Sequence, residues 1–404
     1  MRLLASLLLL ATTAAAEPLV IRAPRVIDGR GKLLRNAAVV VENGTIVSID
    51  EHPKHVDVDL KDATLMPGGI DTHVHISWHF DADGKSRLDG SDGKESQAES
   101  VLYAAENAYR TLLGGITTVQ SLGAPLDKPL RDAINRGTLP GPRILTAINP
   151  IFDGKPSPDE LRAAVAKLKE YGADVVKVFA SQSIRTGGAP TMTQEQLDAI
   201  CDEAKKRGLR VAVHAQGAEA VVRAARAGCT SVEHGSLADQ AALDLMAAHG
   251  TYFDPNTDLI FRNYFENKPR FLGTEGYTEE GFAAMEKAVP VVREMFRKAL
   301  KTKGLKIVFG TDALAGSHGR NFQELVYRVR VGGQDPMEAI ISATSLAAES
   351  LGMGDRIGTI APGYEADLIA VAGHPLKDIT AIEKVVFVMI GGRVLWSGGV
   401  SPRR

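Results

Sequence analysis

Two imidazoles two residues apart close an apolar run in Gly69-Ile70-Asp71-Thr72-His73-Val74-His75. On an extended strand, side chains at i and i+2 leave the same face, so His73 and His75 can reach one metal ion together. The chemistry such a pair serves is metal-assisted hydrolysis, although the same pair also reads as two ordinary, partly buried histidines. Further donors follow at the ends of later apolar runs: Lys177 inside Val175-Val176-Lys177-Val178-Phe179, His214, His234, and Asp312 in Gly310-Thr311-Asp312-Ala313. Read singly, His214 and His234 are hydrogen-bonded core histidines and Asp312 caps a turn. Lys177 is a lone charged group in an apolar strand. Burial favours its neutral amine, the form that reacts with carbon dioxide to give a carbamate with two bridging oxygens. A lysine salt-bridged inside a barrel is the other reading. The constellation, rather than any member, carries the inference of a metal centre.

The elements that must position these groups follow a regular alternation. From Pro67 to about Leu351, β-branched apolar runs are each followed by an amphipathic helical stretch. The expected strands are Ile70 to Ile76, Ile116 to Ser121, Arg143 to Ala147, Val175 to Ala180, Arg210 to His214, Ser231 to His234, Thr251 to Asp254 and Lys306 to Asp312. Eight such units predict an α/β fold, a (β/α)8 TIM barrel over residues 67–355, with its strand C-termini at one mouth. Short strands with turns in residues 17–66, and again in 356–404, predict a small split β-sandwich domain into which the barrel is inserted. Asn43-Gly44-Thr45 matches a glycosylation acceptor, but Asn-Gly between alternating runs reads more simply as a hairpin turn.

With 404 residues, 44% of them hydrophobic, the chain can bury one large domain and a smaller module. Its 47 basic and 49 acidic residues leave a net charge of -2 without like-charge blocks, which gives no footprint for nucleic acid or an anionic membrane. A small-molecule substrate is expected. Cys201 and Cys229 lack CxxC spacing and read as buried structural thiols. Residues 1–16 read as a signal peptide: Arg2, the apolar run from Leu3 to Ala11, then Ala14-Ala15-Ala16 before Glu17. The run is too short for stable membrane insertion, so the expected location is periplasmic or secreted.

The chain resembles the amidohydrolase superfamily over nearly all of its mature length. The resemblance rests on G-x-I-D-T-H-V-H, the K-V-F strand, V-A-V-H-A at His214, V-E-H-G at His234, F-G-T-D-A at Asp312, and the closing Pro362-Gly363-Tyr364-Glu365-Ala366-Asp367-Leu368-Ile369. It is similar to imidazolonepropionase-related members; the strand-four lysine, which imidazolonepropionase lacks, points to the related Xaa-Pro dipeptidases (prolidases). The resemblance implies two divalent ions, zinc by ligand type. His73, His75 and Asp312 would hold one and His214 and His234 the other, with N6-carboxylated Lys177 between them. It further implies that a bridging hydroxide attacks an amide carbonyl while Asp312 shuttles the proton, and that the chain forms a homo-oligomer. The implied substrate is a dipeptide or an N-acyl amino acid. A cyclic amide or lactone is the second enzymatic reading, and a non-catalytic binding protein on the same scaffold the third.

Substrate choice falls to loops. Residues 77–100 read as a lid; residues 181–190 carry Arg185; residues 254–281 carry Arg262, Tyr264, Arg270, Phe271 and Tyr277, a mixture suited to an apolar pocket with a carboxylate clamp. His318 and Arg320 follow the Asp312 strand closely. Each arginine also reads as a solvated surface residue. Two departures from the dipeptidase pattern stand out: Ile144 to Pro150 lacks the histidine of a Gly-His-Gly segment, and Gln216 replaces an aromatic residue or histidine.

Overall fold

The computed structural model describes residues 17–88, 93–152, 154–274 and 276–398. The expected signal segment, 1–16, lies outside the described residues.

The N- and C-terminal strands share one eight-stranded sheet. It runs from Arg393–Ser397 through Val385–Ile390, Leu368–Ala372, Ala63–Pro67, Leu19–Ile27 and Leu33–Glu42 to Thr45–Asp50, with Val58–Asp59 paired to Leu19–Ile27. The junction is antiparallel, with Ala370 opposite Leu65. The split module thus takes the form of one hydrogen-bonded sheet. Its buried face packs Ile21, Val39, Ile46, Leu65, Leu368 and Phe387. Asn43 (φ 50°) and Gly44 (φ 82°) both adopt left-handed backbone between paired strands, the conformation that a two-residue hairpin needs.

Between these strands lies a TIM-barrel-type α/β fold of two parallel sheets. Gly69–Val74, Ile116–Ser121 and Arg143–Thr146 form the first. Ile151–Phe152, Val175–Phe179, Arg210–Gly217, Ser231–Leu237, Tyr252–Asp254 and Lys306–Ile307 form the second. Their edges meet through Asp174 N–H to Thr146 O (2.9 Å), Thr72 N–H to Phe309 O (2.9 Å) and His75 N–H to Ala313 O (2.7 Å). Helices with self-contained N-caps cover the strands: Ser96 with Glu99, Ser157 with Glu160 and Thr193 with Gln196 each complete a reciprocal cap. Leu161, Val165, Leu197 and Ile200 from these helices pack against Val176, Val178, Val211 and Val213. The last expected strand is shorter than predicted. Strand geometry stops at Ile307; beyond it Phe309 gives its N–H to Ser342 O at 3.0 Å, and Asp312 turns into the left-handed region (φ 53°) and gives its N–H to His73 O at 2.8 Å.

The cysteine expectation is corrected. Cys201 and Cys229 form a disulfide, with Cα atoms 5.3 Å apart and 28 residues of separation. It ties the inner face of helix Gln194–Lys206 to the turn that enters the His234 strand. Closing a loop of this length stabilises the folded chain by about 3 to 4 kcal/mol in the loop-entropy picture. The Cys201→Ser/Cys229→Ser variant should lose that amount in urea unfolding, and an unchanged midpoint would contradict the pairing. Among the described residues, no helix is long and apolar enough to cross a membrane.

Candidate metal centre

All six donors line one cavity of about 260 Å³ at the C-terminal ends of the strands. His73 and His75 stand on one strand face with ring centroids 5.3 Å apart; His73 and His234 are 5.2 Å apart, and His234 and His214 4.7 Å. Asp312 Oδ1 lies 3.3 Å from His73 Nε2 and 3.1 Å from His75 Nε2. Ligand atoms of His73, His234 and Asp312 lie within 4.8 Å of one another. Lys177 is fully buried, with Nζ 3.5 Å from His73 Nε2. Among the described residues it has no ion pair, which speaks against the salt-bridged reading.

The electrostatics fit metal ligation. Burial, then the Lys177 charge, pulls His73 well below the usual histidine range and His214 down to about 3; burial does the same to His234. Neutral imidazoles are the ligand form. Burial opposes the charge of Asp312, but His73 and His75 outweigh it and hold the carboxyl down to about 2. Burial lowers Lys177 toward the reactive free amine. His234 (φ 70°) and Asp312 hold left-handed backbone that ordinary side chains avoid, a cost that places both side chains in the mouth.

A layer of carboxyl groups behind the donors was not assigned from sequence. Glu233 Oε2 lies 3.1 Å and Asp254 Oδ2 3.9 Å from His73 Nδ1. One ring edge of His73 therefore faces these carboxyls and the other the cavity, an arrangement that orients a ligating imidazole. Burial, then the Glu233 charge, pushes Asp254 well up against the pull of Arg328, and burial pushes Glu233 up as well. Gly310 is required here, because a Cβ would collide with the Asp254 carboxyl. Asp71 accepts from the backbone N–H groups of His73 and Thr311 (3.1 Å each), and from Thr311 Oγ1 and Asn321 Nδ2 (2.7 Å each). It thereby locks the His73 strand to the Asp312 segment.

The expected substrate residues divide. Arg185 and Tyr264 line the cavity, together with Phe179, Gln216, Asn256, Ile260, Phe261 and Tyr277. Three others do not line it. Arg262 pairs with Asp258 at 2.8 Å one helical turn away, and Arg320 with Glu266 at 2.8 Å. His318 approaches Trp78 O at 3.3 Å and buttresses Trp78, which stacks on His75 at 3.8 Å. The described part of the expected lid forms a hairpin, His79–Phe80 with Ser86–Arg87, against Phe271.

The amidohydrolase family pattern matches residues 64–395. The chain belongs to the amidohydrolase family. This amidohydrolase is a hydrolase acting on carbon–nitrogen bonds. It is similar to the crystal structure of a Xaa-Pro dipeptidase with bound methionine, at 32% identity and a TM-score of 0.84, covering 94% of this chain and 100% of that one. It is 29% identical to ochratoxinase from Aspergillus niger over 98% of this chain and 90% of the relative. The crystal structure of A. niger ochratoxinase superposes with a TM-score of 0.82. An imidazolonepropionase from Deinococcus deserti is 27% identical over 86% of this chain and 88% of the relative.

Proposed function

We propose that this amidohydrolase is exported, holds two divalent ions, zinc by the chemistry of the donors, and hydrolyses the amide bond of a dipeptide or N-acyl amino acid. The observation that carries the reading is the convergence of four histidines, Asp312 and an ion-pair-free buried lysine on one cavity. We read the two parallel sheets as one (β/α)8 barrel, sealed by the backbone bonds at their edges and inserted in a β domain split between 17–66 and 356–404. Export is supported by the apolar run before Glu17 and by the disulfide, which persists in oxidising compartments. Homo-oligomerisation belongs to the same proposal and rests on resemblance.

Divalent ions held by this set supply a Lewis acid and lower the pKa of water they coordinate. His73, His75 and Asp312 would hold one ion, His214 and His234 the other. Lys177, carboxylated by carbon dioxide with loss of one proton, would give each ion a carbamate oxygen. Asp312 accepts the proton of the attacking water and delivers it to the departing amine nitrogen, so that acid and amine are released. Glu233 and Asp71 keep the His73 and Asp312 side chains in register.

A hydrolysis panel of dipeptides and N-acyl amino acids, set beside lactams and lactones, tests the reading. Turnover of the linear amides is expected. Turnover confined to the rings would replace it with the cyclic-amide reading.

A further inference from the structure

We propose that Arg185 forms a carboxylate-binding subsite in this cavity, so that the enzyme selects amides whose amine half ends in a free carboxylate. The inference rests on the amide-hydrolysis reading above and adds to it the charge and direction of the bound substrate.

Arg185 lies on the short turn Ile184–Thr186, which is capped by Ser183 and stopped by Gly187 (φ 95°). Its stem packs against Gly281 at the start of helix Glu279–Lys301, and its guanidinium carbon sits 3.9 Å from the centre of the Tyr277 ring. Tyr277 donates its hydroxyl proton to Tyr264 at 2.9 Å, so the ring beneath the cation is itself anchored. Among the described residues, no carboxylate stands at ion-pair distance from Arg185, whereas Arg262 and Arg320 each have one. Stacked on Tyr277 and hydrogen-bonded to its hydroxyl, the guanidinium still has N–H groups to offer a carboxylate.

The surroundings favour an organic anion. Phe179, Ile184, Ile260, Phe261 and Met285 line the same cavity as Arg185 and the metal donors. A cation held against apolar walls is stabilised most by a ligand that brings its own counter-charge. An amide bound with its carbonyl at the metal donors and its carboxylate on Arg185 presents an amino-acid side chain to these walls.

The test uses the full metal-loaded enzyme and two substrates that differ only in the carboxylate, N-acetyl-L-phenylalanine and N-phenethylacetamide. Wild type is expected to prefer the first by about 10- to 100-fold in kcat/KM, the span of a charge-assisted contact. Arg185→Gln is expected to erase that preference by raising KM for the carboxylate substrate alone, and Arg185→Lys to retain part of it. Equal turnover of both substrates by wild type overturns the subsite and leaves amide hydrolysis standing. If neither substrate is cleaved, calorimetric binding of N-acetyl-L-phenylalanine decides. Binding weakened by a similar factor in Arg185→Gln supports the subsite, while equal binding, or none to wild type, overturns it. Circular dichroism establishes that each variant is folded.

Discussion

Replacing Lys177 with alanine will lower amide hydrolysis by roughly 10³-fold or more, and added acetate or propionate will restore part of it. The size of the loss follows from the nucleophile. Water without metal assistance has a pKa of about 16 and supplies almost no hydroxide near neutrality, whereas water on a metal ion ionises near pH 7. Lys177 is fully buried in the middle of a parallel strand, beside His73 and without an ion pair among the described residues. Truncation leaves room where a small carboxylate can sit and offer the two oxygens that the carbamate would have offered. Lys177→Met fills the same space with a thioether and is expected to lose activity without rescue, which separates replacement of the bridge from a general salt effect. Full activity of Lys177→Ala in carboxylate-free buffer would contradict the assignment.

Asp312→Asn is expected to lower kcat by roughly 10²- to 10⁴-fold, the usual contribution of positioned proton transfer, with KM changed by a small factor. Asparagine is the informative replacement. Asp312 has φ 53°, a conformation that asparagine tolerates well, so the turn and its backbone bond to His73 O survive the change. The carboxamide keeps an oxygen toward His73 and His75 but cannot take the proton of the attacking water. Steady-state kinetics with circular dichroism on the same sample measure both halves of the expectation. A kcat within tenfold of wild type would remove Asp312 from the proton path.

Much of the molecule was legible in the sequence because the strand pattern is strong. The run Val175 to Ala180 became strand Val175–Phe179, and Ile116 to Ser121 was reproduced residue for residue. The six donors could be found because each lies in or ends such a run, where this fold brings strand ends together. The run from Lys306 to Asp312 misled, since Val308 and Phe309 are apolar like a strand while the backbone at Asp312 turns left-handed. The supporting carboxyls were missed for a different reason. Glu233 stands between Val232 and His234, and only its position behind His73 reveals its part. Asp71 was inside the histidine motif, yet three of its four bonds reach Thr311 and Asn321, more than two hundred residues away in sequence. Among the loop arginines, Arg262 carried a readable warning, because Asp258 precedes it by four residues on a helix. Arg320 carried none; its partner Glu266 comes from a distant segment. The cysteine pairing was equally hidden, since it joins a helix face to the turn before a neighbouring strand.

The central claim is that one cavity holds a two-ion centre on which amide hydrolysis depends. Elemental analysis of the purified active enzyme, repeated after chelation and stepwise reconstitution, tests it most directly. The account predicts close to two divalent ions per chain, with activity lost on chelation and regained as they return. Full activity in protein with metal content near zero would contradict it.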